Sequence, residues 1–523
     1  MDPRPTALAL ALVGCAGSIV RPARFVDRPP ILDVADTGPI PLPRRLDPIK
    51  EATLSTAYVE RPLVEALDPT RPPDAGDVNA FDDVPRSSWF SPDAAAESDA
   101  AEPPAPPFRL LPGPTVTHEG GLAAMDARGR QFELWRDPVD RPEMATGAAA
   151  ATSRILRALG YYTPGVWARD LSKADFVLHD PADDAAVEAF FKAGPHPKGW
   201  RFRVGVTRWP IGTDLGPTPT LGKRADDSND RVPHQDRRTL RALKPIFGWL
   251  GMTEAGAAVL RDAYVGAPGS GHVLHYLAGL GGALGADAVV RPQPPRDDDA
   301  DLAGRNVWVT LGSLGLYQQT SRLTPKQWPS LGEYREDVSL DDFRTGPPME
   351  PMDRLLPADA YWAAKRIASV RAPVLAPALD AGEYHDDSAR ALLGELVRDR
   401  QRLTVRWGFA QVTPCEVDRL EQAGPRFPAA VILRDEAVSA GLVTAAEAGY
   451  RVELLDDEGK PWAKPLRLER VGGALFPVRL AETAPGYVVL RVKSAHSGRE
   501  APRAMEVHLV HGGAAWRVVG IVH

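Results

Sequence analysis

Several residue groups in this chain have the types, and some the spacing, for chemistry. Residues 226–230 (DDSND), with His234 close behind, set carboxylates and an imidazole just ahead of a helical stretch that begins at Asp236. Such a group could form a polar site, or Asp230 or Asp236 could simply cap the helix by accepting its free N–H groups. His272 and His275 are three apart, as in a metal pair on a helix face. Their neighbours Val273, Leu274, Tyr276 and Leu277 read as a strand instead, which sends the two rings to opposite faces. Residues 297–301 (DDDAD) are acidic enough for calcium, but Leu302 stands where a calcium loop needs Gly. A solvated loop is the simpler expectation. Residues 279–285 (GLGGALG) follow a strand, as a phosphate-cradling loop does, but no Lys-Ser/Thr follows them. Close packing or a loose loop is expected there. Ser270 lies between Gly269 and Gly271 without the spacing of a nucleophile elbow. Trp89, Trp135, Trp209, Trp249 and Trp407 read as core.

Cys15 stands apart from these. Arg4 precedes a short apolar stretch, Thr6 to Val13, and Leu12-Val13-Gly14-Cys15 ends it. This looks like a bacterial lipobox, in which small residues admit the chain to a signal peptidase and the thiol accepts diacylglycerol. It implies a signal peptide over residues 1–14 and a mature chain anchored through acylated Cys15. Several acyl chains matter, because one gives only marginal membrane binding. Ala16 after the Cys, rather than Asp, points to the outer membrane of the cell envelope, facing the periplasm or the surface. The second cysteine, Cys415, is then left as a free thiol. Two cysteines exclude a disulfide scaffold and a Cys-rich zinc site. No apolar run is long enough for a spanning helix. With 62 basic and 69 acidic residues the net charge is −7, which gives no pull toward nucleic acid. No metal and no cofactor are expected.

The elements that would position these groups divide the 523 residues into stretches of different texture. The 52 prolines, about twice the usual share, point to extended linker. Residues 15–112 are Pro-rich and polar, with too little apolar surface to offset the ordering entropy, and are expected to form a disordered tether. One island at 79–91 carries Phe81, Val84, Trp89 and Phe90 and is expected to dock on the body. Residues 113–425 read as an α+β body. Strands are expected at 115–117, 131–135, 175–178, 201–207 and 273–277. Helices are expected at 143–160, ended by Gly160, at 236–250, kinked or split by Pro245, and at 358–369 and 388–407. Residues 426–523 read as short strands, at 451–455, 466–468, 486–492, 505–510 and 515–519, in a small antiparallel sandwich.

Residues 81–90 (FDDVPRSSWF), 137–147 (DPVDRPEMATG), 158–164 (ALGYYTP), 230–241 (DRVPHQDRRTLR) and 275–285 (HYLAGLGGALG) resemble a family of uncharacterised bacterial lipoproteins. The order of elements is also similar to atypical protein kinases of the HipA and spore-coat-kinase kind. That resemblance implies a two-lobed kinase-like body. It places the phosphate-neutralising Lys slot near Trp135 and its helix Glu slot near Ala149. The catalytic Asp slot falls near Glu254, the metal Asn slot near Val259, and the metal Asp slot at Gly279. Phosphoryl transfer needs a cation and oxygen ligands for Mg²⁺ at such positions. Trp, Val and Gly side chains supply neither. The chain is therefore expected to be a pseudokinase-like binding or scaffold protein of the envelope, with an unknown envelope protein or ligand as partner. The alternative is a divergent phosphotransferase that uses Asp226, Asp230 or Asp262.

Overall fold

A computed structural model describes residues 24–25, 33–34, 38–45, 71–96, 102–113, 120–195, 201–286 and 328–523, apart from gaps of at most four residues within those ranges. Cys15, residues 115–117 and residues 297–301 lie outside the described residues. Among the described residues, no helix is long and apolar enough to cross a membrane.

The fold mixes helices with several sheets, most of them antiparallel. The first sheet is built from β1 (Phe108–Leu110), β2 (Leu122–Met125), β3 (Gln131–Trp135), β4 (Val166–Leu171), β5 (Phe176–Val177) and β6 (Phe202–Thr207), in the order β4-β6-β3-β2-β1-β5. Helix α1 (Met144–Leu159) packs against it. Its Ala, Gly, Ser and Thr residues let it approach closely, and nearly all of them are buried. Gly160 ends α1 in the left-handed region at φ 105°, where a side chain would also strike the Phe90 ring. Helix α2 (Pro181–Lys192) starts with Asp180 accepting from the N–H groups of Ala182 and Asp183. Its Phe190 and Phe191 join Phe108, Phe132 and Trp167 in the core of the sheet's other side.

A second sheet holds β7 (Thr213–Pro217), β8 (Leu260–Val265) and β9 (His272–Leu277), all antiparallel. Between β7 and β8 come α3 (Arg238–Arg241) and α4 (Leu243–Leu250). The expected split of 236–250 falls at Ala242, and Pro245 sits in the first turn of α4, where its missing N–H costs nothing. The helical layer continues with α5 (Glu350–Asp353), α6 (Pro357–Ser369), α7 (Ala372–Asp380) and α8 (Asp387–Phe409). Trp249 Nε1 donates to the Val397 carbonyl and so ties α4 to α8.

The C-terminal part has two sheets. One holds β10 (Cys415–Glu421), β11 (Ala430–Asp435) and, after α9 (Glu436–Ser439), β14 (Leu475–Arg479). The other holds β12 (Ala448–Leu455), β13 (Leu466–Glu469), β15 (Tyr487–His496), β17 (Met505–Gly512) and β18 (Ala515–Val522), in the order β13-β12-β15-β17-β18, with β16 (Arg499–Glu500) beside β15. Val431 and Leu433 of the first share one apolar cluster with Val452, Leu490 and Val507 of the second. Cys415 is a buried free thiol at the start of β10.

Two expected boundaries shift. β1 lies inside the stretch read as tether, because Arg109 and Leu110 pair with β2 and Phe108 is fully buried. β10 precedes residue 426, because Cys415 to Glu421 pair with β11. The tether itself is not free where it is described. The Asn229 side chain clamps the backbone of Val34 at 2.8 and 3.0 Å, and Arg44 N–H donates to Leu215 at 2.8 Å.

Candidate functional site

Two places in the fold gather the residues in which chemistry was sought. The first is an apolar contact at the end of β3, inside the first sheet. Trp135, the last residue of β3, is buried, and its Nε1 donates to Thr207 Oγ1 on β6 at 2.9 Å. Its indole lies over Gly205, where a Cβ would stand 2.3 Å from the ring. The same indole reaches the 280–282 turn: a Cβ at Gly281 would lie 3.6 Å from Trp135 and 3.8 Å from Ala145 Cβ on α1. Ala149 is buried one turn further along α1. Val259 is buried, and its carbonyl accepts from Ala278 N–H at 2.7 Å, which sets it beside Gly279. Gly279 is left-handed, at φ 66°. Trp135, Ala149 and Val259 thus share one apolar cluster, a seam bordered by Gly279 at the start of the turn that the Trp135 indole reaches. Glu254 lies half-buried in the loop between α4 and β8. No charge belongs to Trp135, Ala149, Val259 or Gly279, so this seam can neither neutralise a phosphate nor ligate Mg²⁺ through those side chains.

The second place is a buried polar knot. β8 and β9 pair in a register that sets Asp262 directly opposite His275, and their side chains meet at 2.7 Å. Asp262 also accepts from the Thr218 hydroxyl and from Arg224 at 2.9 Å. Asp227 faces the other nitrogen of His275 at 3.4 Å, too misaligned for a hydrogen bond. Asp230 accepts from Arg237 at 2.8 Å and meets His234 Nε2 at 2.7 Å. The polar side chains of Arg224, Asp227, Asp230, His234, Arg237, Asp262 and His275 are all buried. Burial alone would drive the His275 proton off, but Asp262 and Asp227 outweigh it and hold the ring protonated up to about 9. Burial likewise opposes the charges of Asp230 and Asp262, yet their His and Arg partners keep both carboxyls below the usual range. Three carboxylates, Asp227, Asp230 and Asp262, are matched by Arg224, Arg237 and the His275 imidazolium. Asp226 sits at the rim, about 43% exposed, paired with Arg224 at 3.0 Å and Arg44 at 3.7 Å.

The docking island closes this knot. Trp89 stacks on His275 with ring centroids 3.8 Å apart, while the Arg237 guanidinium lies 4.9 Å from the indole centroid and His234 meets its edge at 4.8 Å. The Ser88 carbonyl accepts from His275 N–H at 3.0 Å, and Tyr162 donates to the Ser87 carbonyl at 3.1 Å. Asp77 caps α3 by accepting from Arg238 and Thr239. Asp82 binds Arg238 at 2.7 Å and His523 at 2.9 Å. Ile521 N–H donates to the Ala80 carbonyl, so one short segment ties the helices, the second sheet and the C-terminal sheets together. Val84, Trp89 and Phe90 are buried as expected, but Phe81 is 49% exposed. Its neighbours Ala80 and Asp82 use backbone and carboxylate to dock, which turns the Phe81 ring outward.

The acidic run and His234 do converge, and with Asp262, but on cations. The residues missed in sequence were Arg224, Arg237 and Thr218. The hairpin of β8 and β9 held a usable signal, since its short turn sets the register that opposes Asp262 and His275. His275 is buried and His272 only half-buried, as their different parity on a strand requires. Among the described residues, no group of three His, Cys, Asp or Glu is arranged to hold a metal ion.

No protein-family model matches the chain, and no curated protein is similar to it. Two solved structures resemble it loosely. A crystal structure of the Golgi casein kinase with Mn/ADP bound is 11% identical, with TM-score 0.29 over 59% of this chain and 73% of that one. A second crystal structure of the Golgi casein kinase is 10% identical, with TM-score 0.26 over 60% of this chain and 74% of that one.

Proposed function

We propose that this chain is a catalytically inactive, two-lobed kinase-like protein that works by binding or scaffolding at the cell envelope, anchored through Cys15 and ending in a small β-sandwich-like domain. The observation that carries this reading is the seam at Trp135. A phosphotransferase would need a Lys, a helix Glu and two oxygen ligands facing one another across such a place. In the kinase-like reading Trp135, Ala149, Val259 and Gly279 take those positions, and the indole filling the space against Gly205 and Gly281 supports it. Phosphoryl transfer is mostly positioning and electrostatic stabilisation, and one lost donor commonly costs about 10² to 10³ in rate. Without a cation or oxygen ligands at those four positions, the transferring group loses the stabilisation they would supply.

The phosphotransferase alternative rests on Asp226, Asp230 and Asp262. Asp230 and Asp262 are already bound by buried Arg and His groups, so a metal would have to displace those partners.

The test is purified protein with labelled ATP and Mg²⁺ or Mn²⁺, together with a thermal-shift measurement. No label transfer and no shift are expected. Labelling abolished by Asp226→Ala, a rim substitution that leaves the buried knot intact, would overturn the inactive reading. Anchoring is tested separately. Wild-type protein should fractionate with membranes and Cys15→Ser with the soluble fraction; identical fractionation would refute the lipid anchor.

A further inference from the structure

A hollow of about 400 Å³ opens between the C-terminal end of α8 and the C-terminal sheets. Its volume is in the range of small-ligand sites. Three observations define what it could take. Leu442, Val443 and Ala501, all half-buried, give it an apolar wall backed by the buried Phe409 and Val412. Arg406 and Arg499 stand on it with no carboxylate partner among the described residues, while Glu500 beside them is held by Lys493 at 3.0 Å. The hollow is therefore lined by two arginines against one carboxylate, Glu500, which Lys493 already engages. Ser494 also lines it, and the buried Ser494 hydroxyl makes no hydrogen bond, an uncommon state for a buried polar group. His496, on the same wall, is oriented by its Nε2 contact to Asp435 at 2.7 Å.

We propose that this hollow binds a single-chain amphiphile with an anionic head. The tail lies on Leu442, Val443 and Ala501, and covering their exposed apolar surface supplies about 25 cal/mol per Å² removed from water. The head sits between Arg406 and Arg499, as guanidinium groups pair with carboxylate or phosphate through charge-assisted hydrogen bonds. A cationic head would meet two arginines and be rejected. None of these residues belongs to the Trp135 seam, so the proposal stands whether or not the chain transfers phosphate.

Titration calorimetry with decanoate, decyl phosphate and decyltrimethylammonium, each below its micelle concentration, tests it. Both anions should bind saturably, one per chain, and the ammonium should not. The tighter of the two anions names the head group. Arg406→Glu and Arg499→Glu, both exposed, should each weaken the anions by about tenfold or more with an unchanged melting temperature. Leu442→Trp should fill the hollow and abolish binding. Equal binding of the ammonium, unchanged affinity in both arginine variants, or no saturable binding of either anion would overturn the proposal.

Discussion

The seam at Trp135 and the knot under Trp89 are both places where a tryptophan closes over residues with catalytic promise, yet they are built on opposite principles. At the seam, Trp135, Ala149, Val259 and Gly279 carry no charge, and the acid on the same face of β3, Glu133 opposite Thr207, is buried. Trp135 spends its one donor on Thr207 and otherwise packs on glycines and alanines. At the knot charge is abundant, but each carboxylate already has a cation or an imidazole against it. The two arrangements differ in what they offer a substrate. One lacks the group, and the other has committed it. Acidic residues that converge in a fold are therefore not a site until their counter-charges have been counted. Buried charges are expensive unless paired, and here the pairing is internal.

The comparison breaks most readily at the knot. Asp262→Ala removes the shared partner of Arg224, Thr218 and His275 and leaves two buried cations short of a carboxylate. Stability should fall by about 3–5 kcal/mol, the usual cost of leaving a buried charge unpaired. Urea unfolding followed by far-ultraviolet circular dichroism measures it. A loss under about 1 kcal/mol would mean that water reaches Arg224 and His275, contrary to their burial.

Trp89→Ala should cost somewhat less, about 3 kcal/mol, in the range for deleting a buried large aromatic. It removes the stack on His275 and the cation–π contact of Arg237 but leaves the ion pairs. Limited proteolysis distinguishes this loss from that of Asp262→Ala. The Trp89 variant should become sensitive around residues 85–91 while the remaining fold persists, because Trp89 is the ring that stacks this part of the segment on His275, whereas Asp77 and Asp82 still hold its start on α3.

How much of this was legible in the sequence depends on range. Helix α1 could be read from its run of small residues and from Gly160, and β3, β6 and β9 from their β-rich runs, because each signal is local. The docking island showed as aromatics in a polar setting, since an isolated Trp-Phe pair has nothing to bury against within its own segment. Phe81 misled because ring type says nothing about which face a turn presents. The extent of the tether misled for a different reason. Val34 and Arg44 dock through backbone groups, whose pairing leaves no trace in side-chain type. β10, β11 and β14 went unread because one sheet is assembled from segments separated by a helix and two further strands. The polar knot was half-visible, as a run of carboxylates near His234. Its cations come from residues whose Arg side chains look like ordinary surface charge.

The pH dependence sharpens the comparison, because the knot holds a histidine whose proton is bound more tightly than in the unfolded chain. His275 is held protonated up to about 9 by Asp262 and Asp227, against burial. Asp230, Arg237 and the Trp89 ring also surround it. An unfolded histidine titrates near 6.5. Below about 6.5 both states carry the proton, and the contribution to stability is full. As pH rises from there toward 9, the unfolded chain loses the proton first, and stability declines until the folded ring loses it too. Unfolding free energies at pH 6 and pH 9.5 should differ by on the order of 2 kcal/mol from this group. The His275→Asn variant should lose most of that slope. An equal slope in wild type and variant would place the proton elsewhere.

The smallest effect belongs to the seam. Thr207→Val keeps the shape of the side chain and deletes only the acceptor of Trp135 Nε1. Trp135 keeps its packing on Gly205 and the Gly281 turn, so the cost should be that of one buried neutral hydrogen bond, about 1 kcal/mol. The contrast with Asp262→Ala is the point of the measurement, since an apolar contact is held by area and a knot by paired charge. Salt separates the two further. Raising ionic strength should leave the Thr207→Val loss unchanged, because no charge is involved at either partner. A Thr207→Val loss as large as that of Asp262→Ala would mean that the seam hides a charge, and the inactive reading would then lose its main support.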